Sequence, residues 1–116
     1  MYYILVEKWW ETTNYYKTNI SVHSTKESAL QAESKIINEL TNKAVEIYDS
    51  FKNNTLCIED CINRDLDTEI EEMENADEPY DKIIKCIIWN EFCFTFIDEV
   101  FGSSKEDCLL KFRVPN

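Results

Sequence analysis

Glycine and proline are scarce in this 116-residue chain, which contains only Gly102, Pro79 and Pro115. A phosphate- or dinucleotide-binding loop needs several glycines in one short segment, because its backbone must approach the phosphates closely. A flexible or extended linker between two domains needs similar clusters of glycine or proline. The composition therefore excludes the common nucleotide-binding loops and predicts a single domain over residues 1–116.

Long apolar segments are absent too. The N-terminal stretch MYYILVEKWW is short, is interrupted by Glu7 and contains no small-residue cleavage site, so we expect no secretory signal. No run reaches the ~20 apolar residues that a membrane-spanning helix needs. The chain has five cysteines, an odd number that is typical of reduced thiols. We therefore expect a cytoplasmic protein that does not contact membranes.

Segments rich in β-forming residues predict two β-hairpins. Residues 2–9 form an apolar strand, and residues 15–23 alternate between polar and apolar side chains after a polar turn. Residues 81–101 are predicted to form a second hairpin that turns at Asn90 and Glu91. Two hairpins of this kind predict an antiparallel sheet.

Between the predicted hairpins, apolar residues recur at helical spacing. Residues 29–51 predict an amphipathic helix, either one long helix or two helices joined near residues 41–43. A further helix is predicted over roughly 56–76, ahead of Pro79. Residues 105–114 fit either a short helix or a last strand. The predicted fold class is α+β, with an antiparallel sheet from two β-hairpins and helices packed on one face.

Negative charge is concentrated in residues 65–81, which contain nine carboxylates and no Lys or Arg. The whole chain has a net charge of −11, so the other residues together carry only −2. Such a field repels phosphates and disfavours direct binding of nucleic acid. Like charges three or four residues apart on a helix repel each other, and a surface selected only for solubility usually mixes both signs. The run therefore predicts a recognition surface for a basic partner protein. Its alternatives are a solvated helix face and a calcium loop, although the Asp-x-Asp-x-Asp-Gly pattern of such loops is missing.

Two aromatic residues beside the first predicted turn are candidate anchors for the same partner. If Trp10 pairs with Tyr15, both rings lie on one exposed face of the hairpin, where large aromatic side chains are typical of interface hot spots. The alternative is that these rings only pack across the strands or in the core. The predicted partner-binding residues are Glu69, Glu71, Glu72, Glu74, Asp77, Glu78, Trp10 and Tyr15.

Cysteine spacing gives a weaker indication of a zinc site. Cys57 and Cys61 are four residues apart and would share one face of the predicted helix, but there is no second close pair to complete a tetrahedral site. The pattern favours core thiols and no bound cofactor. A Cys–His enzyme would use His23, the one histidine, yet nothing else suggests an oxyanion hole or an orienting carboxylate. We therefore expect a protein that is not an enzyme. The remaining residues that could complete a zinc site are Cys86, Cys93, Cys108 and His23.

In its size, its concentrated acidity and its α+β pattern, the whole chain resembles the small inhibitors carried by phages and mobile elements, anti-CRISPR proteins among them. It is also similar to the immunity proteins that neutralise nuclease toxins. The resemblance implies a non-enzymatic inhibitor that occupies the basic, nucleic-acid-binding surface of a nucleic-acid-handling enzyme, by nucleic-acid mimicry. The alternatives are a homo-oligomeric structural or assembly protein, such as a homodimer, that uses the apolar second hairpin, and a small zinc-binding module.

Overall fold

The computed structural model describes residues 1–112, and within them the chain forms three strands and four α-helices. The strands form one antiparallel sheet in the order β2-β1-β3. This arrangement confirms the predicted α+β class. No helix in the described part of the chain has both the length and the apolar character that a bilayer crossing requires. In chain order the elements are β1 (Tyr2–Trp10), β2 (Tyr16–His23), α1 (Lys26–Lys52), a 3₁₀ turn (Ile58–Asp60), α2 (Leu66–Asn75), α3 (Tyr80–Trp89), β3 (Phe92–Val100) and α4 (Lys105–Phe112).

The first hairpin is formed by β1 and β2, but its register differs from the predicted one. Trp10 lies opposite Tyr16, so its predicted pairing with Tyr15 is wrong. Tyr15 belongs to the connecting loop, because its carbonyl oxygen accepts hydrogen bonds from the backbone N–H groups of Glu11 (2.9 Å) and Thr12 (3.1 Å). Since neighbouring residues of a strand point to opposite faces, this one-residue shift separates the two predicted anchors.

The predicted second hairpin over residues 81–101 is wrong. Its first half is helix α3, which buries three isoleucines, and only its second half is a strand, β3, which pairs with β1. The apolar residues of this segment fit both helical and strand spacing, and the predicted turn lacks the glycine that tight hairpins favour. Asn90 instead ends α3, since its Nδ2 donates a 2.9 Å hydrogen bond to the carbonyl oxygen of Cys86.

Helices cover both faces of the sheet. Successive side chains of a strand point to opposite faces, so Leu5 lies on one face of β1 and Ile4 and Val6 lie on the other. α1 contacts the sheet and covers the face of Leu5, which is 1% exposed. α4 covers the other face, where Cys108 packs against Ile4 and Val6. The predicted placement of all helices on one face is therefore wrong, because the C-terminal helix forms a layer of its own.

The C-terminal segment turns back onto the sheet at the single glycine. A Cβ atom on Gly102 would lie 2.6 Å from Sγ of Cys108 and 2.8 Å from Oδ2 of Asp107, so only glycine allows this close approach. The helical interpretation of residues 105–112 is confirmed. The last two residues of the predicted segment 105–114 lie outside the described residues.

α1 is one continuous helix of 27 residues, about 40 Å long. It does not break near residues 41–43. Its first half covers the sheet, and its second half packs against α2 and α3 in a separate apolar core. The molecule is elongated as a result: it measures 53 × 31 × 21 Å, with a radius of gyration of 17.2 Å, where a compact chain of this length has about 13 Å.

The helix predicted over residues 56–76 begins later than the pattern indicates. A 3₁₀ turn comes first, and α2 starts only after Asp65. Oδ1 of Asn63 accepts a 2.9 Å hydrogen bond from the backbone N–H of Asp65, a local turn that competes with helix formation. The spacing of Cys57 and Cys61 predicts that they share one face of an α-helix. That prediction is wrong, because the two residues flank the 3₁₀ turn.

Candidate acidic recognition surface

Eight of the nine carboxylates of residues 65–81 lie just before α2, within it or in the turn that follows it, and the ninth, Asp81, lies in the first turn of α3. α2 buries Leu66 and Ile70 in the core shared with α1 and α3, which leaves its opposite side in solvent. Residues three or four apart share a helix face, so the buried side determines which acids point outward. The exposed carboxylates within the helix are Asp67, Glu71 and Glu72.

Glu69 lies at the edge of the buried side and holds three segments together. Its two carboxylate oxygens accept hydrogen bonds from the side-chain amides of Asn63 (3.0 Å) and Asn90 (3.2 Å). Asn63 also donates to the side-chain oxygen of Asn90. Burial, and to a smaller extent the charge of Glu69, raises the pKa of the Cys86 thiol. Glu69 therefore has a structural role inside the acidic run.

Glu74 joins α2 to α1. Its Oε2 accepts a 2.9 Å hydrogen bond from the hydroxyl of Tyr48, which is 7% exposed. Nζ of Lys52 lies 4.5 Å from the centroid of the Tyr48 ring. Burial first, and then the hydrogen bond to Glu74, raises the pKa of Tyr48, so its hydroxyl keeps its proton at neutral pH.

Asp77 and Glu78 form the turn that ends α2. The backbone N–H of Asp77 donates to the carbonyl oxygen of Glu74 (3.1 Å), and that of Glu78 donates to the carbonyl oxygen of Met73 (3.0 Å). This pair of hydrogen bonds is a Schellman motif, in which Asp77, with φ of 52°, occupies the position that glycine usually takes. The side chain of Glu78 forms a 3.0 Å ion pair with Lys82.

The six predicted carboxylates therefore divide into two groups. Those with partners inside the protein are Glu69, Glu74 and Glu78. Those that are exposed, and whose carboxylates form no hydrogen bond or ion pair with any residue between 1 and 112, are Glu71, Glu72 and Asp77. The surrounding segment 53–91 contains twelve carboxylates and three cations, so it carries −9 of the total charge of −11.

The structure does not bring the two predicted aromatic anchors together. Tyr15 is 71% exposed in the loop, whereas Trp10 is half-buried, with its ring 6.0 Å from that of Tyr16. Trp10 instead contributes to a recess of about 260 Å³ that adjoins the amide network around Glu69. The recess is lined by Trp10, Thr13, Ile62, Asn63, Trp89 and Asn90.

Of the residues that line this recess, only Trp10 is among the predicted partner-binding residues; its large apolar neighbours Ile62 and Trp89 are not. The predicted second hairpin places Trp89 in a strand, whereas it is the last residue of α3 and is 65% exposed. The helical spacing of Ile83, Ile84 and Ile87 was the signal that could have identified α3, and with it Trp89 as the last residue of a helix.

A larger apolar groove, of about 590 Å³, lies between α1, α3 and the beginning of β3. Sequence reasoning missed it as well, because it forms only where α3 replaces the predicted strand. The apolar residues that line it include Ile37, Val45, Ile84, Ile88, Phe92 and Cys93.

The cysteines and His23 do not form a cluster. Across residues 1–112, no group of three or more His, Cys, Asp or Glu side chains is placed to hold a metal ion. Burial raises the pKa of the Cys61 and Cys86 thiols, so both keep their protons at neutral pH. His23 lies between two serines, 2.9 Å from Oγ of Ser21 and 3.1 Å from Oγ of Ser28.

Comparisons of the chain with protein-family models, with curated proteins and with solved structures find no match. Function is therefore inferred from the chemistry of the surface itself. The described surface offers exposed carboxylates on α2 and in the turn after it, and a recess lined by Trp10 and Trp89 near the N-terminal end of α2.

Proposed function

We propose that this chain is a non-enzymatic inhibitor or binding protein whose acidic surface docks on a basic, nucleic-acid-binding surface of a partner protein. The observation that carries the proposal is the exposure of Glu71, Glu72 and Asp77 without an ion pair to any residue in 1–112. The neighbouring acids Glu69 and Glu74 bond to other segments and hold α2 in place. The exposed carboxylates are therefore carried by a helix that hydrogen bonds hold in place.

An unpaired row of like charges is unfavourable for the isolated chain. Asp67 and Glu71 are four residues apart, Glu69 and Glu72 are three apart, and each like-charged pair at such a spacing costs a few tenths of a kcal/mol. Lys and Arg side chains of a partner would remove that repulsion, and the charge of −9 on segment 53–91 would speed encounter with a basic surface. Nucleic-acid phosphates are the usual ligands of such a surface. A chain that docks there would compete with the nucleic acid of its partner.

The aromatic residues would supply the apolar part of the contact. Surface charges mainly change the rate of association, whereas buried aromatic side chains mainly slow dissociation. The recess lined by Trp10 and Trp89 lies beside the amide network of Glu69. It is the proposed place where apolar surface of the partner is buried. Tyr15, on the adjoining loop, is a proposed contact at the edge of the interface. The five unpaired cysteines support the reducing cytoplasm as the compartment in which this protein acts.

A pull-down from bacterial lysate with three baits tests the proposal. The baits are the native chain, the variant Glu71→Lys/Glu72→Lys, and a control variant Glu39→Lys/Glu46→Lys, whose substitutions lie at exposed positions of α1. The two variants have the same net charge, so they differ only in where the charge is changed. We expect the native chain and the control to retain a nucleic-acid-binding protein that Glu71→Lys/Glu72→Lys loses.

Each other pattern contradicts the proposal. Equal loss from both variants would show that only net charge matters, and retention by all three baits would show that the acidic surface is not the contact. A specific partner without nucleic-acid-binding activity would contradict the proposed target class. Circular dichroism of each bait checks that the substitutions leave the fold intact.

A further inference from the structure

β3 is an open edge of the sheet. One side of it pairs with β1, and no strand of residues 1–112 lies on its other side. Edge strands are usually protected by lysine, by proline or by a covering element, but β3 contains no Lys or Pro, and its charges, Asp98 and Glu99, lie towards one end. Phe94 and Phe96 are 45% and 43% exposed, with ring centroids 6.1 Å apart. The centre of this edge therefore presents aromatic side chains and unpaired backbone.

If the β3 strands of two copies pair in an antiparallel manner, one register brings the aromatic side chains at the centre of each strand opposite each other. If a two-fold axis passes through Thr95, Phe94 of each copy lies opposite Phe96 of the other copy. Aromatic pairs directly across two strands are stabilising. The same register places Asp98 opposite Phe92 of the second copy, so the two Asp98 carboxylates are six residues, about 20 Å, apart along the strands. The like charges are thus separated while the aromatic rings meet.

The hydroxyl of Thr95, at the centre of β3, also lacks a partner within residues 1–112 of the monomer. Its Oγ1 is buried and has no hydrogen-bond partner among the described residues. Buried polar atoms of this kind are rare, because losing the hydrogen bonds to water without replacement is costly. In the register described, Thr95 faces Thr95 of the second copy. Two threonines opposite each other can form a cross-strand hydrogen bond, which here requires the atoms that cover each Oγ1 in the monomer to move aside.

A second copy would also cover apolar surface beside the edge. In this register Ile97 of the second copy lies opposite Cys93, which lines the 590 Å³ groove between α1, α3 and β3. The chain exposes 7906 Å², about 1,300 Å² more than a compact monomer of its mass. The elongated shape of the chain accounts for this excess, and an interface of standard size would cover ~800 Å² of each partner.

We propose that two copies of this chain form a symmetric dimer by pairing their β3 edges about Thr95, which creates a six-stranded antiparallel sheet. The contact is isologous, so it closes on itself and does not propagate into a fibre. The proposal does not rest on the binding function above, because the free carboxylates lie on α2 and in the turn that follows it, outside β3. A chain that failed to dimerise would leave that function untouched.

Sedimentation equilibrium of three chains, from about 1 to about 100 µM, tests the dimer. The native chain is expected to reach twice its mass of 13.8 kDa. Phe94→Lys/Phe96→Lys places like charges opposite each other in the proposed register and is expected to remain a monomer. Phe94→Lys/Phe96→Glu places opposite charges across the axis in both pairs and is expected to dimerise again. Both positions are exposed in the monomer, and Phe94→Lys, which places a second cation opposite Lys8, is common to the two variants and so cannot cause a difference between them.

A native chain that stays at 13.8 kDa throughout overturns the dimer. A dimer that survives Phe94→Lys/Phe96→Lys overturns the location of the interface, and a monomeric Phe94→Lys/Phe96→Glu overturns the register. Hydrogen exchange of the native chain needs no variant: the amides of β3 must gain protection as the concentration rises, and unchanged protection contradicts the proposal.

Discussion

The hydroxyl of Tyr48 lies 2.9 Å from a carboxylate oxygen of Glu74, and this hydrogen bond joins the acidic helix α2 to α1. Tyr48 is almost completely buried, whereas Glu71 and Glu72, on the same helix as Glu74, are exposed. Carboxylates only two or three residues apart in the sequence therefore have different roles. Glu74 stabilises the fold, whereas Glu71 and Glu72 form no side-chain hydrogen bond or ion pair with any residue in 1–112.

Tyr48→Phe tests the structural role of Glu74. The substitution removes only the hydroxyl and leaves a half-buried carboxylate without its donor, so we expect it to lower the free energy of unfolding by about 1–2 kcal/mol. Urea denaturation measures the change. Tyr15→Phe, in the exposed loop, is the control and should stay within about 0.5 kcal/mol of the native chain. Equal stabilities of the two variants would show that the hydrogen bond to Glu74 contributes nothing.

Asp77→Gly is expected to stabilise the protein. Asp77 has a φ of 52° at the C-terminal end of α2, where glycine is favoured and a negative charge opposes the helix dipole. Relief of both effects should raise the free energy of unfolding by about 0.5–1 kcal/mol. Glu71→Gly, within the same helix, should instead lower the free energy of unfolding by about 1 kcal/mol, because glycine disfavours a helix interior. A destabilised Asp77→Gly would contradict the Schellman geometry.

Stability should fall as the pH rises above about 8.5, where ordinary thiols begin to ionise. Burial raises the pKa of Cys61 and Cys86 in the folded protein, so the unfolded chain releases these protons first and unfolding becomes more favourable. The contribution of these thiols to the free energy of unfolding is fully present below about pH 8.5. It decreases as the pH rises from there through the pKa that the thiols have in the folded protein. Urea denaturation between about pH 7 and 9.5 measures the slope. The variant Cys61→Ala/Cys86→Ala should show a flatter slope, and an unchanged slope would rule out these two thiols.

Thr95→Val has different expected effects in a monomer and in the proposed dimer. Valine has nearly the same shape as threonine without the hydroxyl, so in a monomer it removes a buried oxygen that has no partner and should stabilise the fold by about 1 kcal/mol. In the dimer it removes the cross-strand hydrogen bond at the axis and should weaken association. The dimer proposal therefore predicts a larger dissociation constant for Thr95→Val by sedimentation. Association that is as tight as in the native chain would contradict the Thr95 axis.

Local sequence signals were sufficient for the existence of the first hairpin, for the helical character of α1 and for the α+β class, but they left open whether α1 is one helix or two. They failed for α3 and β3, because CIIWNEFCFTFI contains apolar residues at both periods, and the choice between helix and strand depends on packing against α1. The one-residue register error at Trp10 has a similar origin, since the loop hydrogen bonds of Tyr15 decide where β2 begins.

The acidic run was recognisable from composition, but the roles of its members were not. Glu69 is bonded to Asn90, 21 residues away, and Glu74 to Tyr48, 26 residues away. No helical periodicity contains that information, because such contacts exist only after α1, α2 and α3 have packed. The sequence therefore identifies the acidic surface as a whole, and the structure separates the carboxylates that are free from those that are not.

The most direct test of the acidic surface is a competition experiment with the partner captured by the native chain. The partner would be bound to fluorescently labelled nucleic acid, and fluorescence anisotropy would be followed as this chain is added. We predict that the native chain and Glu39→Lys/Glu46→Lys displace the nucleic acid and that Glu71→Lys/Glu72→Lys does not. A partner that holds the nucleic acid and the native chain at the same time would contradict the proposed occupation of its nucleic-acid-binding surface.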